Sequence, residues 1–142
     1  MSKHTSCELC QQDGGEIIVQ HKKFRVVLVD DINYPGFCRV IWNTHISEMT
    51  DLAPADRSIL MQAVCKVEQV LRDVIKPDKI NLASLGNMTP HLHWHVIPRY
   101  EDDAHFPNPI WAASERPSKE LAEKRHLLPK LRHYLSFAWD DL

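Results

Sequence analysis

The chain predicts an α+β fold: an antiparallel five-stranded meander sheet with a long helix packed on one face and a C-terminal helical tail. Three observations carry that expectation. Val- and Ile-rich runs separated by Gly, Pro and Asn turns fill the N-terminal third. One stretch of three- and four-residue apolar spacing follows. Two more strand-like runs come after it, the second strictly alternating. Strands, one long helix, then strands again is the layout of a helix laid on one sheet face.

The elements follow in order. Residues 7–15 form a lead-in that ends at the turn signal Gly14-Gly15. Residues 16–20 and 24–30 read as strands joined by a hairpin turn at His21-Lys22-Lys23. The turn at Asn33-Tyr34-Pro35-Gly36 leads into a third strand over 37–42. Pro54 suits a first helical turn, and Asp56 suits the positive end of the helix dipole. Leu60, Ala63, Val64, Val67, Val70, Leu71 and Val74 then form one stripe, and the helix must stop before Pro77. Residues 79–85 and 91–99 are the fourth and fifth strands, joined by residues 86–90. Ser118 is placed to cap a last helix running to about residue 137, kinked by Pro129.

A chain of 142 residues is one domain by length, with its core over about 7–111 and an extension over about 112–142. Its 44% hydrophobic and 25% charged residues are ordinary for a globular protein. A formal charge of −2 gives no reason to expect a reader of nucleic-acid backbones. No apolar run reaches the roughly 20 residues of a membrane span, and the N-terminus has no apolar signal core. The expected location is therefore the cytoplasm. In a reducing compartment Cys7, Cys10, Cys38 and Cys65 are thiols or ligands rather than disulfides, with Cys38 and Cys65 read as small core residues. Lys22, Lys23, Arg25 and Arg99 lie near strand ends and read as solvated surface. With four glycines and no phosphate-loop pattern, any phosphate must be held by side chains and by the turn before His91.

Chemistry concentrates in His91-Leu92-His93-Trp94-His95-Val96-Ile97. Alternation puts the three imidazoles on one strand face and Leu92, Trp94 and Val96 on the other. A fixed row of side chains that titrate near neutral pH points to catalysis or to metal binding. Alternate positions lie about 6–7 Å apart, which suits two ligands on one metal or one acting imidazole beside a positioning one.

This pattern resembles the signature of the histidine-triad (HIT) family of nucleotide hydrolases and transferases. The longer run Asn81-Leu82-Ala83-Ser84-Leu85-Gly86-Asn87-Met88-Thr89-Pro90 leading into it resembles that family's bacterial diadenosine tetraphosphate hydrolase-like branch. Val27-Leu28-Val29-Asp30, Tyr34-Pro35-Gly36-Phe37 and Val40-Ile41-Trp42-Asn43-Thr44-His45 match the family's order of parts, so the resemblance covers about residues 7–111. It implies a HIT-like fold and a homodimer whose sheets continue across a two-fold, with Trp42, Trp111 and Trp139 as candidate buried or interface aromatics. It implies that His93 attacks the α-phosphorus of a purine nucleotide and forms a nucleotidyl-histidine intermediate. The backbone carbonyl of His91 would fix the His93 tautomer, and His95 would donate to phosphate or leaving-group oxygen. Asp30 would take the ribose hydroxyls unless it is a turn aspartate. His45 would sit beside the nucleotide, and Asn81 would reach the phosphate unless it only closes a strand end. Asn87 and Thr89 would offer neutral donors, although the order Asn87-Met88-Thr89 departs from the family's Gln followed by Ser or Thr. Dinucleoside polyphosphates are the first substrate class and nucleoside phosphoramidates the second. No cofactor is required for the chemistry.

Cys7-Glu8-Leu9-Cys10 is half of a zinc site on its own. Some relatives resemble a completed version in which the counterparts of His45 and His91 supply the other two ligands. Two free thiols or a redox pair remain alternatives. So do a metal-dependent hydrolase built on the histidine strand and a nucleotide-binding protein without turnover.

Overall fold

The computed structural model describes residues 6–137 and 139–142. Five strands form one sheet: β1 Glu16–Gln20, β2 Phe24–Leu28, β3 Cys38–Trp42, β4 Lys79–Ala83 and β5 His93–Arg99. The spatial order is β1-β2-β3-β5-β4 with every neighbouring pair antiparallel. The first three strands run as the meander. The helical connection then sets β4 at the sheet edge, and the return turn brings β5 between β4 and β3. That order places the histidine strand in the sheet interior, hydrogen-bonded on both sides.

The helix α2 (Pro54–Val74) begins on the proline expected of a first turn. Its buried residues Leu60, Ala63, Val64, Val67, Leu71 and Val74 are the stripe read from the sequence. They pack on Phe24, Val26, Leu28, Val40, Trp42 and Val96, which alternate along their strands onto the same sheet face. Each such leucine or valine contributes roughly 1.5–3 kcal/mol by leaving water. Cys65 is exposed, not a core residue, because one residue past Val64 turns it about 100° off the buried stripe. Cys38 is fully buried as expected, and burial pushes its thiol up to about 12. Gly36 is needed where the β2–β3 turn meets α2. Its φ is 96°, and a Cβ there would sit 3.2 Å from both Ile75 and Leu71.

The lead-in contains a four-residue helix α1 (Glu8–Gln11) on the opposite face of the sheet, where Cys7, Leu9 and Cys10 pack against Val27 and Ile41. The expected single terminal helix is instead two pieces, α3 (Ala122–Arg125) and α4 (Leu128–Leu135). Pro129 lies in the first turn of α4, where a missing N–H costs nothing, so it starts a helix rather than kinking one. Leu121, Leu131, Leu135 and Trp139 join the main core beneath α2. Trp42 and Trp139 are buried, while Trp111 is half exposed.

Candidate active site and candidate metal centre

β5 carries His93 and His95 on the face away from α2. They stand opposite Ile41 and Arg39 of β3, and both are more than nine-tenths buried. Their ring centroids are 4.9 Å apart with planes crossed at 81°. Trp94 and Val96 point to the α2 side and anchor the strand. His93 Nδ1 lies 2.6 Å from the His91 carbonyl. A carbonyl only accepts, so Nδ1 carries the proton and Nε2 keeps its lone pair. The Ser84 hydroxyl donates to the His93 carbonyl at 2.7 Å and holds that end of β5 to the β4 side.

Burial lowers the affinity of both rings for a second proton. For His93 it outweighs the His91 hydrogen bond, and Arg39 adds to it. For His95 burial comes first, then His93 and Arg39, and together they bring it down to about 3. Both rings are therefore neutral at pH 7. Two aromatics complete the setting of His95, Trp111 edge-on with its centroid at 4.9 Å and Phe37 tilted at 5.8 Å.

His91 does not join the imidazole row on one face. The strand begins at His93, so alternation does not reach back to it. Its ring is fully buried against the lead-in: Nε2 donates to the Trp42 carbonyl at 2.6 Å, which leaves Nδ1 with a lone pair. Nδ1 lies 3.4 Å from Cys7 Sγ and 3.5 Å from Cys10 Sγ. Cys10 Sγ in turn lies 3.3 Å from His45 Nδ1. One ligand atom from each of Cys7, Cys10, His45 and His91 falls within 4.8 Å of all the others.

This donor set fits zinc. Two thiolates and two imidazoles are a closed tetrahedral complement, and zinc–ligand bonds of 2.3 and 2.0–2.1 Å imply sulfur-to-nitrogen edges of about 3.6 Å. The observed edges are close to that figure. The bond from His91 Nε2 to a main-chain carbonyl is the support a metal-bound imidazole ordinarily has. Because His91 and His45 turn toward the thiols, the cluster and the His93–His95 pair are neighbours rather than competitors. Among the described residues it is the one group of three or more Cys, His or acidic side chains with ligand-like spacing, and it excludes His93 and His95.

Asn81 lies on β4 on the histidine face, opposite Ile97, and its carbonyl oxygen accepts from Arg99 Nη1 at 2.7 Å. Asn87 is exposed and Thr89 half-buried in the turn before His91. Asp30 is exposed and lines a cavity of about 420 Å³ with Asp31, Glu16, Arg125 and Arg132, which no triad histidine lines. The structure thus brings His91, His93 and His95 together with Cys7, Cys10 and His45, and does not bring Asp30 into that group.

Two arginines read as solvated surface are buried. Arg25 is 8% exposed and holds the lead-in, donating from Nε to the Asp13 carbonyl and from Nη2 to those of Leu9 and Gln12. Arg99 is 1% exposed and pairs with Asp103 at 2.9 Å. Both lie two residues from a buried apolar neighbour on the same strand face, Val27 and Ile97. That spacing was the available signal.

A five-stranded antiparallel sheet that carries two packed imidazoles, one tautomerically fixed by the residue two before it, defines a HIT-like protein. The HIT domain matches residues 11–102. The chain belongs to the HIT family. It is 31% identical over 128 residues to a Mycobacterium tuberculosis protein named AP-4-A phosphorylase, covering 85% of this chain and 64% of the relative. It is 29% identical over 93 residues to a Schizosaccharomyces pombe asymmetrical bis(5'-nucleosyl)-tetraphosphatase, covering 62% and 51%. The chain thus spans about half to two thirds of the length of these curated relatives. A histidine triad protein from Bradyrhizobium japonicum superposes with a TM-score of 0.74 at 27% identity, over 94% of this chain and 97% of that one.

Proposed function

We propose that the chain is a histidine-triad nucleotide hydrolase or nucleotidyltransferase acting on dinucleoside polyphosphates. The observation that carries it is the bond from His93 Nδ1 to the His91 carbonyl, which leaves Nε2 as a neutral nucleophile at pH 7. Nε2 attacks the α-phosphorus and displaces the rest of the substrate, and water then releases a nucleoside monophosphate. The named activities of the two curated relatives, both directed at bis-nucleosyl tetraphosphates, support that substrate class. Asn81, Asn87 and Thr89 are the proposed phosphate contacts, and Asp30, which stands outside the histidine cluster, is proposed only for the ribose hydroxyls, farther from the attacked phosphorus. Asn81 is the best supported of them, because Arg99 fixes it on the histidine face.

Cys7, Cys10, His45 and His91 are proposed to hold one structural zinc that ties the lead-in to the start of β5. We place the protein in the cytoplasm, and among the described residues no helix is long and apolar enough to cross a membrane. A homodimer through the outer edge of β4 would cover Leu82 and Leu85, which are 38% and 52% exposed.

Incubation with a panel of diadenosine polyphosphates and an adenosine phosphoramidate tests the reading by product identity. His93→Ala should cost at least about a thousandfold in turnover, because the covalent route is lost. Retention of more than about a tenth of wild-type activity would sink the assignment of His93.

A further inference from the structure

β3 carries one cation onto the face that holds the histidines. Arg39 stands directly across from His95 in the β3–β5 register. Directly opposed side chains share a face with Cβ atoms about 5 Å apart. Its guanidinium carbon lies 5.6 Å from the centroid of the Phe37 ring, the same ring that borders His95. Its charge acts on His93 and His95 alike.

That charge is underused by the protein. A guanidinium has five N–H donors in a planar fork. Arg39 Nη1 donates to the Gly14 carbonyl at 2.8 Å, and its Nε is buried without a partner. No carboxylate lies within ion-pair distance of it among the described residues, although the charge of Glu8 is felt at longer range. Arg25, on the neighbouring strand, shows what an arginine kept for structure does here: it spends two nitrogens on three lead-in carbonyls. The lead-in is therefore already held, and Arg39 remains only partly buried.

We propose that Arg39 binds the phosphate chain of the leaving group, so that the site selects substrates whose leaving group is a phosphate chain over adenylated groups that carry no phosphate. The proposal rests on the reading that His93 attacks an α-phosphorus. As the bond from His93 Nε2 to that phosphorus forms, the bond to the bridging oxygen breaks. The electron pair leaves on that oxygen, which terminates a phosphate chain now more negative by one charge. A guanidinium fork stabilises that charge as it develops and transfers no proton. Neutral His95, next to it, can donate a hydrogen bond but brings no charge. Water oxygen then bonds to phosphorus, the phosphorus–nitrogen pair returns to Nε2, and the water's proton passes to solvent. An amine leaving group needs a proton, which an arginine does not give up.

The test compares two substrates that share one adenylyl-histidine intermediate: diadenosine tetraphosphate and the p-nitrophenyl ester of AMP. Arg39→Met should lower kcat/KM on the tetraphosphate by about a hundredfold, and on the ester by at least tenfold less. Equal losses on both would overturn the proposal and leave Arg39 a prop for Gly14, and so would an unchanged rate on the tetraphosphate. If thermal melting shows Arg39→Met to be unfolded, Arg39→Lys is read by the same ratio. Loss of the fork with retention of the charge predicts a fall of at least threefold in tetraphosphate over ester, and no fall overturns the proposal. Wild-type protein that cleaves the ester but not the tetraphosphate overturns the Arg39 proposal and the dinucleoside polyphosphate substrate class, and leaves the attack of His93 on an α-phosphorus standing. Wild-type protein that cleaves neither overturns the nucleotide reading and the proposal with it.

Discussion

Arg99 shows how a single residue can set a site it never reaches by sequence. Its Nε and Nη2 bond both oxygens of Asp103, and its Nη1 bonds Asn81. Asp103 also accepts from the main-chain N–H groups of Tyr100, His105 and Phe106. Burial by itself would raise the Asp103 carboxyl. The Arg99 side chain and the three N–H donors outweigh it and hold it at about 2. Asp103→Asn should therefore cost about 3–5 kcal/mol, since it strands a buried guanidinium. The pH dependence has a definite sign. A carboxyl depressed from 3.8 to about 2 stabilises the fold fully above pH 4 and loses that contribution as pH falls toward 2. Urea unfolding at pH 7 and pH 3 should show the gap between wild type and Asp103→Asn narrowing by roughly 1 kcal/mol. A gap that stays constant would show that Asp103 is not held ionised by Arg99. His93 and His95 were legible because alternation alone places them on one face. Arg25 and Arg99 were not, because charge suggests solvent unless the partners are known. Asp103 is legible as a partner of Arg99 only once the chain has turned back on itself.

At the scale of elements, α2 was legible almost to the residue because its stripe runs for 21 residues and a proline opens it. α1 was not, because four residues cannot be helical on their own account. Tertiary ties hold it instead: the Arg25 bonds to lead-in carbonyls and the packing of Leu9 against Val27 and Ile41. The zinc proposal adds a third tie from Cys7 and Cys10 to His45 and His91. Protein prepared untagged, without chelator and in zinc-supplemented medium should contain close to one zinc per chain by elemental analysis. Cys7→Ser combined with Cys10→Ser should lose the metal and several kcal/mol of stability, because metal binding to a site absent from the unfolded chain is folding energy. Metal-free wild-type protein would leave the four residues as a thiol–imidazole cluster. Nδ1 of His45 and of His91 meets the thiols of the lead-in, so chelation should disturb the lead-in before it disturbs the attack on phosphorus.

At the scale of the molecule, the sequence marks residues 112–142 as an extension because they carry no motif. The packing treats them as part of the body. Leu121, Leu131, Leu135 and Trp139 are buried in the same core as α2 and the sheet, and Trp139 stacks edge-on with Phe24 at 5.7 Å. Arg132 reaches Glu16 at 2.9 Å, so α4 is also tied to the start of the edge strand β1. The helical periodicity there was weak because α3 and α4 are short, α3 buries no residue of its own and α4 buries only Leu131 and Leu135. We therefore propose one folding unit rather than a core with an appendage. Leu131→Ala, at a fully buried position, should cost about 2–5 kcal/mol through lost transfer energy and the cavity left behind. A chain ending at Trp111 should fail to fold, since it strips Trp139 from Phe24 and the buried leucines of α4 from the core they share with α2. Circular dichroism and urea titration of the two variants decide the matter. A cooperative transition of the truncated chain within about 1 kcal/mol of wild type would separate the tail from the domain, because no buried leucine lost from a shared core costs so little.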